Sequence, residues 1–373
     1  MDSLPATRIE IDLDALRHNF RLACEYAAGR DLLAVVKADA YGHGAVRVAQ
    51  TLVGEGAELF GVAHLGEAAP LRQAGIDRPI LLFCGVRPGE EDQVLELRLT
   101  PMLFDLGLAE RLDGLAAAAG LRQPVHLKID TGMGRVGFRP EELPEVLERL
   151  RQLSHLELEG VVSHLALADE RDNPFSEEQY ARFRACLRQV REAGFSPRWV
   201  HLSNSAALYS RDFPECNLSR PGISLYGGLP GPGFADLDLR PVMHVRSSIA
   251  QLKQVPAGTG VSYGHRFTAG RPTRLAAVPV GYADGYSRRF SNCGEVLIRG
   301  CRAPVVGTVC MNWTLVDVTD LPEVAVGDRV TFLGRDGDTL LRGSDLAAKI
   351  GTIDYELYCS LGSRNVRVYL AAS

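Results

Sequence analysis

A chain of 373 residues, 46% of them hydrophobic and 23% charged, has room for about two or three domains and a substantial core. Its formal net charge of -5, with the signs interspersed and no basic run, excludes a surface built to neutralise nucleic-acid phosphates. The scattered cysteines (Cys24, Cys84, Cys186, Cys216, Cys293, Cys301, Cys310, Cys359) form no C-x-x-C pair and have no clustered histidines. This excludes a disulfide framework and a zinc site. Met1 to Asp14 carry no basic-then-apolar leader and no apolar run reaches bilayer length, so a cytoplasmic protein without membrane contact is expected.

In chain order, a short alternating strand is expected around Arg8 to Leu13 and is assigned to the second domain. Apolar runs then recur at Leu33 to Val36, Phe60 to Ala63, Ile80 to Phe83, Pro101 to Phe104, Val125 to Ile129, Gly160 to Ser163 and Trp199 to Leu202. The last is Leu218 to Leu225, which includes a turn. Helical periodicity separates them. Ser176 to Gln179 reads as a capping box opening a helix that runs to Ala193 and stops at Gly194. Eight βα units over roughly 230 residues predict an α/β chain with a (β/α)8 TIM-type barrel over residues 1–240, a doubly wound sheet being the alternative. From about Pro241 short alternating runs such as "SSIAQLKQV", "GEVLIRG" and "DRVTFLG" predict a mostly-β domain over 241–373. One helical stretch is expected in it, near Ser344 to Leu361.

In a barrel the reactive groups gather at the C-terminal ends of the strands. "AVVKADAYGHG" puts Lys37 at the end of a buried strand, followed by Tyr41; desolvation there lowers an amine's pKa and readies it for a Schiff base, though a snorkelling lysine reads the same. "HLKIDTGMGRVGF" brings Lys128, Asp130 and Arg135 to the rim. Its lone "DTG" lacks the second carboxylate of an aspartic protease. His164 ends the sixth strand, Ser203, Asn204 and Ser205 the seventh, and "SRPGISLYGG" carries Arg220, Gly222 and Ile223. The last two loops form the usual phosphate corner of this fold. Singly, His164 suits a satisfied core histidine and Arg220 a rim salt bridge; their joint placement is what points to a site. In the second domain, "GTGVSYGHRF" lacks the dinucleotide spacing, and Tyr263, Tyr282, Met311 and Tyr355 read by default as packing residues.

From "AVVKADAYGHG" to "IDYEL", the motifs and their order resemble the alanine racemase family over nearly the whole chain. The resemblance implies a homodimer with shared sites that interconverts L- and D-alanine using pyridoxal 5'-phosphate (PLP) on Lys37, with no metal. It further implies Lys37 and Tyr263 of the partner subunit as the two catalytic bases. Tyr41, Ser205, Gly222, Ile223 and Tyr355 would hold the phosphate with Asn204 nearby, Arg220 would face the ring nitrogen, and His164 would support both. Arg135 is implied near the cofactor's ring hydroxyl and the substrate carboxylate, the Met311 backbone of the partner subunit and Tyr282 are implied on the substrate side, and Lys128 is implied to be carbamylated. The product role implied is D-alanine for peptidoglycan, with alanine breakdown as the alternative. Asn312 stands where the family more often has Asp, which leaves a racemase of serine or of broader range as the alternative. A PLP decarboxylase and a PLP carrier are the remaining rivals.

Overall fold

The computed structural model describes residues 7–321 and 323–371; residues 1–6, part of the segment read for a leader, lie outside them. Strand β1 (Arg8–Asp12) runs into a helix (Leu13–Ala27) capped by Asp12, whose carboxylate accepts the amides of Asp14 and Ala15. Eight parallel strands follow: β2 (Asp31–Val35), β3 (Leu59–Val62), β4 (Ile80–Leu82), β5 (Thr100–Leu103), β6 (Gln123–Lys128), β7 (Leu156–Val162), β8 (Trp199–His201) and β9 (Leu218–Ser219). They pair in the order β8-β7-β6-β5-β4-β3-β2-β9. The Asn217 amide to Val200 O and the Arg220 amide to Ser203 O, both 3.0 Å, bridge the seam between β8 and β9, so the sheet curls into a nearly closed barrel. Strands such as β3 and β4 are buried at every position, which is why they read as unbroken apolar runs. The helices between them bury one stripe; in Leu143–Gln152 it is Leu143, Val146, Leu147 and Leu150. The expected barrel is therefore present.

Three local readings need correction. The helix of Phe175–Glu192 begins before Ser176, whose buried hydroxyl has no hydrogen-bond partner, so there is no capping box. Gln179 instead reaches across the barrel end, accepting from the Ala166 amide (2.9 Å) and donating to His164 O (3.0 Å). Only Leu218–Ser219 of the last barrel run is strand, and Ile223–Tyr226 is a 3-10 turn. The late helical stretch is two helices, Gly343–Lys349 and Asp354–Gly362.

The C-terminal part adds β10 (Met243–Ser248), β11 (Gln251–Val255), β12 (Gly260–Val261), β13 (Phe267–Thr268), β14 (Thr273–Val278) and β15 (Glu295–Ile298). It continues through β16 (Cys301–Pro304), β17 (Thr314–Asp317), β18 (Arg329–Asp336), β19 (Thr339–Leu341) and β20 (Arg367–Leu370). Its main sheet runs β16-β15-β18-β10-β1-β20, with β19 on β18; β1 pairs antiparallel with β10 and parallel with β20. The N-terminal strand thus stitches the second sheet to the barrel, and a continuous buried core includes Ile9 and Val245 as well as Leu33 and Phe60. Among the described residues no helix is long and apolar enough to cross a membrane, and all eight cysteines are free.

Candidate active site

Lys37 follows β2 and opens a turn of unusual hand. Ala38, Asp39, Ala40 and Tyr41 have φ of 52°, 53°, 55° and 54°, a run of non-glycine residues in the left-handed region, where each costs roughly 1–2 kcal/mol. The surroundings over-determine the turn. Glu67 accepts the amides of Ala38 (2.9 Å) and Ala63 (2.7 Å), while Asp39 accepts the Ala45 amide (2.7 Å) and pairs with Arg367 of β20 at 2.5 Å. Inside the turn the His43 ring holds Ala40 O and Tyr41 O, and burial pushes its pKa down to about 3, so it donates as a neutral ring. The turn sends Lys37 and Tyr41 to the same side.

Both line a cavity of about 880 Å³ at the C-terminal mouth of the barrel, within the range of small-molecule sites. The same cavity is lined by Lys128, Arg135, His164, Asn204, Ser205, Arg220, Gly222, Ile223 and Tyr355. Burial and the Arg135 charge hold the Lys37 amine below the usual lysine range. Arg220, itself buried, donates to His164 Nδ1 (3.2 Å) and to Ser163 O (2.9 Å). Burial and the Arg220 charge hold His164 well below the ordinary histidine value, so it is the neutral acceptor of that bond. At the opposite end, Ser205 Oγ takes the Gly222 amide (2.8 Å), and Asn204 caps the short helix Ser205–Ser210 through the Ala207 amide. Tyr41 packs at a tilt against Tyr226 and Tyr355, with ring centroids 4.9 and 5.8 Å away. A Cβ on Gly222 would lie 2.5 Å from the Tyr41 oxygen, so only glycine lets this backbone approach so closely. Asp130 organises the loop that carries Arg135: burial pushes its carboxyl up, yet the amides of Gly132, Gly134 and Met133 outweigh it and hold the group ionised.

Tyr263, Met311 and Tyr282 lie elsewhere, on the surface of the C-terminal part. They are 72%, 55% and 39% exposed, where the default reading made them packing residues. Backbone bonds tie their segments together: Tyr282 and Ala283 donate to Cys310 O and Met311 O, and Thr308 Oγ1 donates to Tyr263 O at 2.8 Å. Ser262 sits at φ 64° with its hydroxyl on Thr308 O (2.6 Å), so the Tyr263 main chain is fixed while its ring points into solvent. Trp313 is 44% exposed on the same patch, and Asn312 is exposed between it and Met311. A single chain therefore carries most of the expected residues in a cavity and Tyr263, Tyr282 and Met311 on an apolar, outward patch.

The descriptions "Alanine racemase, N-terminal domain" and "Alanine racemase, C-terminal domain" match residues 11–230 and 242–369. An alanine racemase of Geobacter sulfurreducens is 50% identical over 379 residues, spanning 100% of this chain and 99% of its own. The chain belongs to the alanine racemase family. The crystal structure of alanine racemase from D-cycloserine-producing Streptomyces lavendulae superposes with a TM-score of 0.94 at 35% identity, covering 100% of this chain and 99% of that one. The Bartonella henselae alanine racemase, described with covalently bound pyridoxal phosphate, superposes with a TM-score of 0.90 at 30% identity, covering 98% and 100%. As a member of this family the chain is an amino-acid racemase, an isomerase.

Three residues that support the walls of this cavity escaped the sequence reading. Glu67 has no motif around it, and the bond it makes to the Lys37 turn is visible only in three dimensions. His126 and His201 were legible in principle, because period-two alternation puts His126 on the same face as Lys128 and His201 on the same face as Ser203. Both rings are buried in a row behind Arg220.

Proposed function

We propose that the chain racemises L- and D-alanine in the cytoplasm with PLP on Lys37, as a homodimer in which each cavity is completed by Tyr263 of the partner subunit. The observation that carries this reading is one cavity holding a depressed lysine amine, a buried arginine and a glycine-lined polar cradle. The residues fit the group: the Ser205 hydroxyl, the Tyr41 phenol and the Gly222 and Ile223 backbone suit a phosphate, with Tyr355 beside them. Arg220 suits a ring nitrogen, because a guanidinium donates and does not accept. PLP, when bound, supplies an electron sink that acidifies the substrate Cα–H bond.

The chain's own residues then divide the work. Lys37 Nζ, neutral for part of the time because burial lowers its pKa, takes or returns the Cα proton on one face. Tyr263 of the partner subunit does so on the other face, which is why its ring needs to project from its own chain. Arg220 keeps its proton, since burial lowers its pKa only to about 10; donation to the ring nitrogen weakens the sink and favours return of the proton over side reactions. His164 holds Arg220 in place, Arg135 at the mouth meets the substrate carboxylate together with the partner's Met311 backbone, and Tyr282 narrows the entrance. A chiral assay over L-alanine, L-serine and a basic amino acid with added PLP tests the reading. Preference for alanine is expected; faster turnover of serine would favour the broader racemase, and carbon dioxide release would favour a decarboxylase. D-alanine for peptidoglycan is the product role this supports.

Lys128 is also expected to be carbamylated. Burial, then the charges of Arg220 and Arg135, push its amine down to about 7, so near neutral pH a large neutral fraction can add to CO2, forming an N–C bond and releasing a proton. The anion formed would sit between two cations. Native mass spectrometry should show one added CO2 whose occupancy rises as pH rises through about 7; a bare amine under CO2-saturated buffer would remove the idea. Gly222→Ala, which drives a methyl group into the Tyr41 oxygen, should weaken PLP retention about tenfold or more and cost about 1–3 kcal/mol of stability, read by cofactor titration and melting.

A further inference from the structure

Arg220 is a buried cation without a direct counter-ion. Among the described residues its partners are the Ser163 and Leu202 carbonyls and two imidazoles, with no carboxylate in ion-pair range. Such a charge is costly unless something compensates it.

One of the imidazoles leads away from the cavity. Arg220 Nη1 stands 3.0 Å from His201 Nδ1, His201 Nε2 is 2.8 Å from His126 Nδ1, and His126 Nε2 is 3.4 Å from Glu159 Oε2. Arginine can only donate and a carboxylate can only accept, so every bond in the row has one allowed direction. His201 accepts at Nδ1 and carries its proton on Nε2, and His126 does the same. Burial holds both rings below the ordinary histidine value, which keeps them neutral, as this order requires.

Glu159 reaches the row through an irregularity in the barrel. Val125 pairs with Leu158 but His126 pairs with Gly160, which leaves Glu159 as the extra residue of a bulge in β7. A bulge re-aims a side chain that regular alternation would send to the other face. Gly160 makes room for the ring: a Cβ there would lie 2.5 Å from His126 Nδ1.

We infer that Glu159 and His126 are positioning residues for Arg220, the bulge-borne carboxylate closing the row of two imidazoles as its terminal acceptor and remote counter-charge, so that the guanidinium is held aimed at the cavity. The catalytic consequence rests on the reading of Arg220 as the group that faces the cofactor ring. The test is ring-nitrogen NMR of protein labelled with 15N-histidine, with the two signals assigned by His126→Gln and His201→Gln, read beside PLP titration. Both rings of the wild type should be neutral with the proton on Nε2, with and without added PLP. Glu159→Gln, whose amide oxygen still accepts but carries no charge, should keep both tautomers and raise the PLP dissociation constant about threefold. Glu159→Leu, which removes acceptor and charge together, should keep the order that Arg220 imposes but leave the His126 Nε2–H without a partner, shifting its 15N signal, and raise that constant about tenfold or more, with kcat lowered and KM within about twofold. A wild-type ring protonated on Nδ1 overturns the inference, as does a Glu159→Leu protein with an unchanged His126 Nε2 signal and unchanged PLP retention. Should the leucine variant fail to fold, the wild-type and glutamine spectra decide it. The tautomers are read without cofactor as well, so they test the row even where the PLP reading fails.

Discussion

Replacing Lys37 with Ala should lower racemisation by on the order of 10⁴-fold or more, because one substitution removes both the covalent anchor and a proton-transfer group. The fold should survive, since Lys37 stands at a cavity wall and the turn behind it is held by Glu67, Asp39 and His43. Lys37→Arg is the sharper variant. It keeps a cation at the same place, but a guanidinium cannot supply a neutral amine, so it should be as inactive as the alanine variant. Activity within about tenfold of wild type in either variant would remove Lys37 from the chemistry.

Tyr263→Phe should lower turnover about 10²- to 10⁴-fold while changing stability by no more than about 0.5 kcal/mol, because the ring is exposed on its own chain. Its loss would also be repairable. When Lys37→Ala and Tyr263→Phe chains are unfolded together and reassembled, each mixed dimer pairs one intact Lys37 with one intact Tyr263 across the interface. Random assembly should then restore about a quarter of wild-type activity from two inactive parents. Reconstituted dimers that stay inactive would count against a site shared between subunits.

The barrel was legible because its strands are buried on both faces and its helices on one, so both periods stand in the sequence. Most of the cavity was legible for a related reason: a barrel strand ends at the site, and the residue after it inherits an address. What stayed hidden was local conformation decided from a distance. "KADAY" contains no glycine, yet it takes a left-handed turn because Glu67, Arg367 and the Ala45 amide hold it there. Ser176 and Gln179 have the spacing of a cap, but Gln179 is drawn instead to the backbone of His164 and Ala166. Glu159 belongs to the row behind Arg220 only through a bulge, which no alternation pattern announces. Tyr263 and Met311 show the opposite case: they are exposed on their own chain, and the proposed homodimer gives that exposure a reason.

The most direct measurement is reduction of the PLP-loaded protein with borohydride, followed by peptide mapping of the fixed cofactor. The account predicts one stable adduct, on Lys37, and its absence when Lys37 is replaced. An adduct on Lys128 or any other side chain, or no adduct at all, would contradict it.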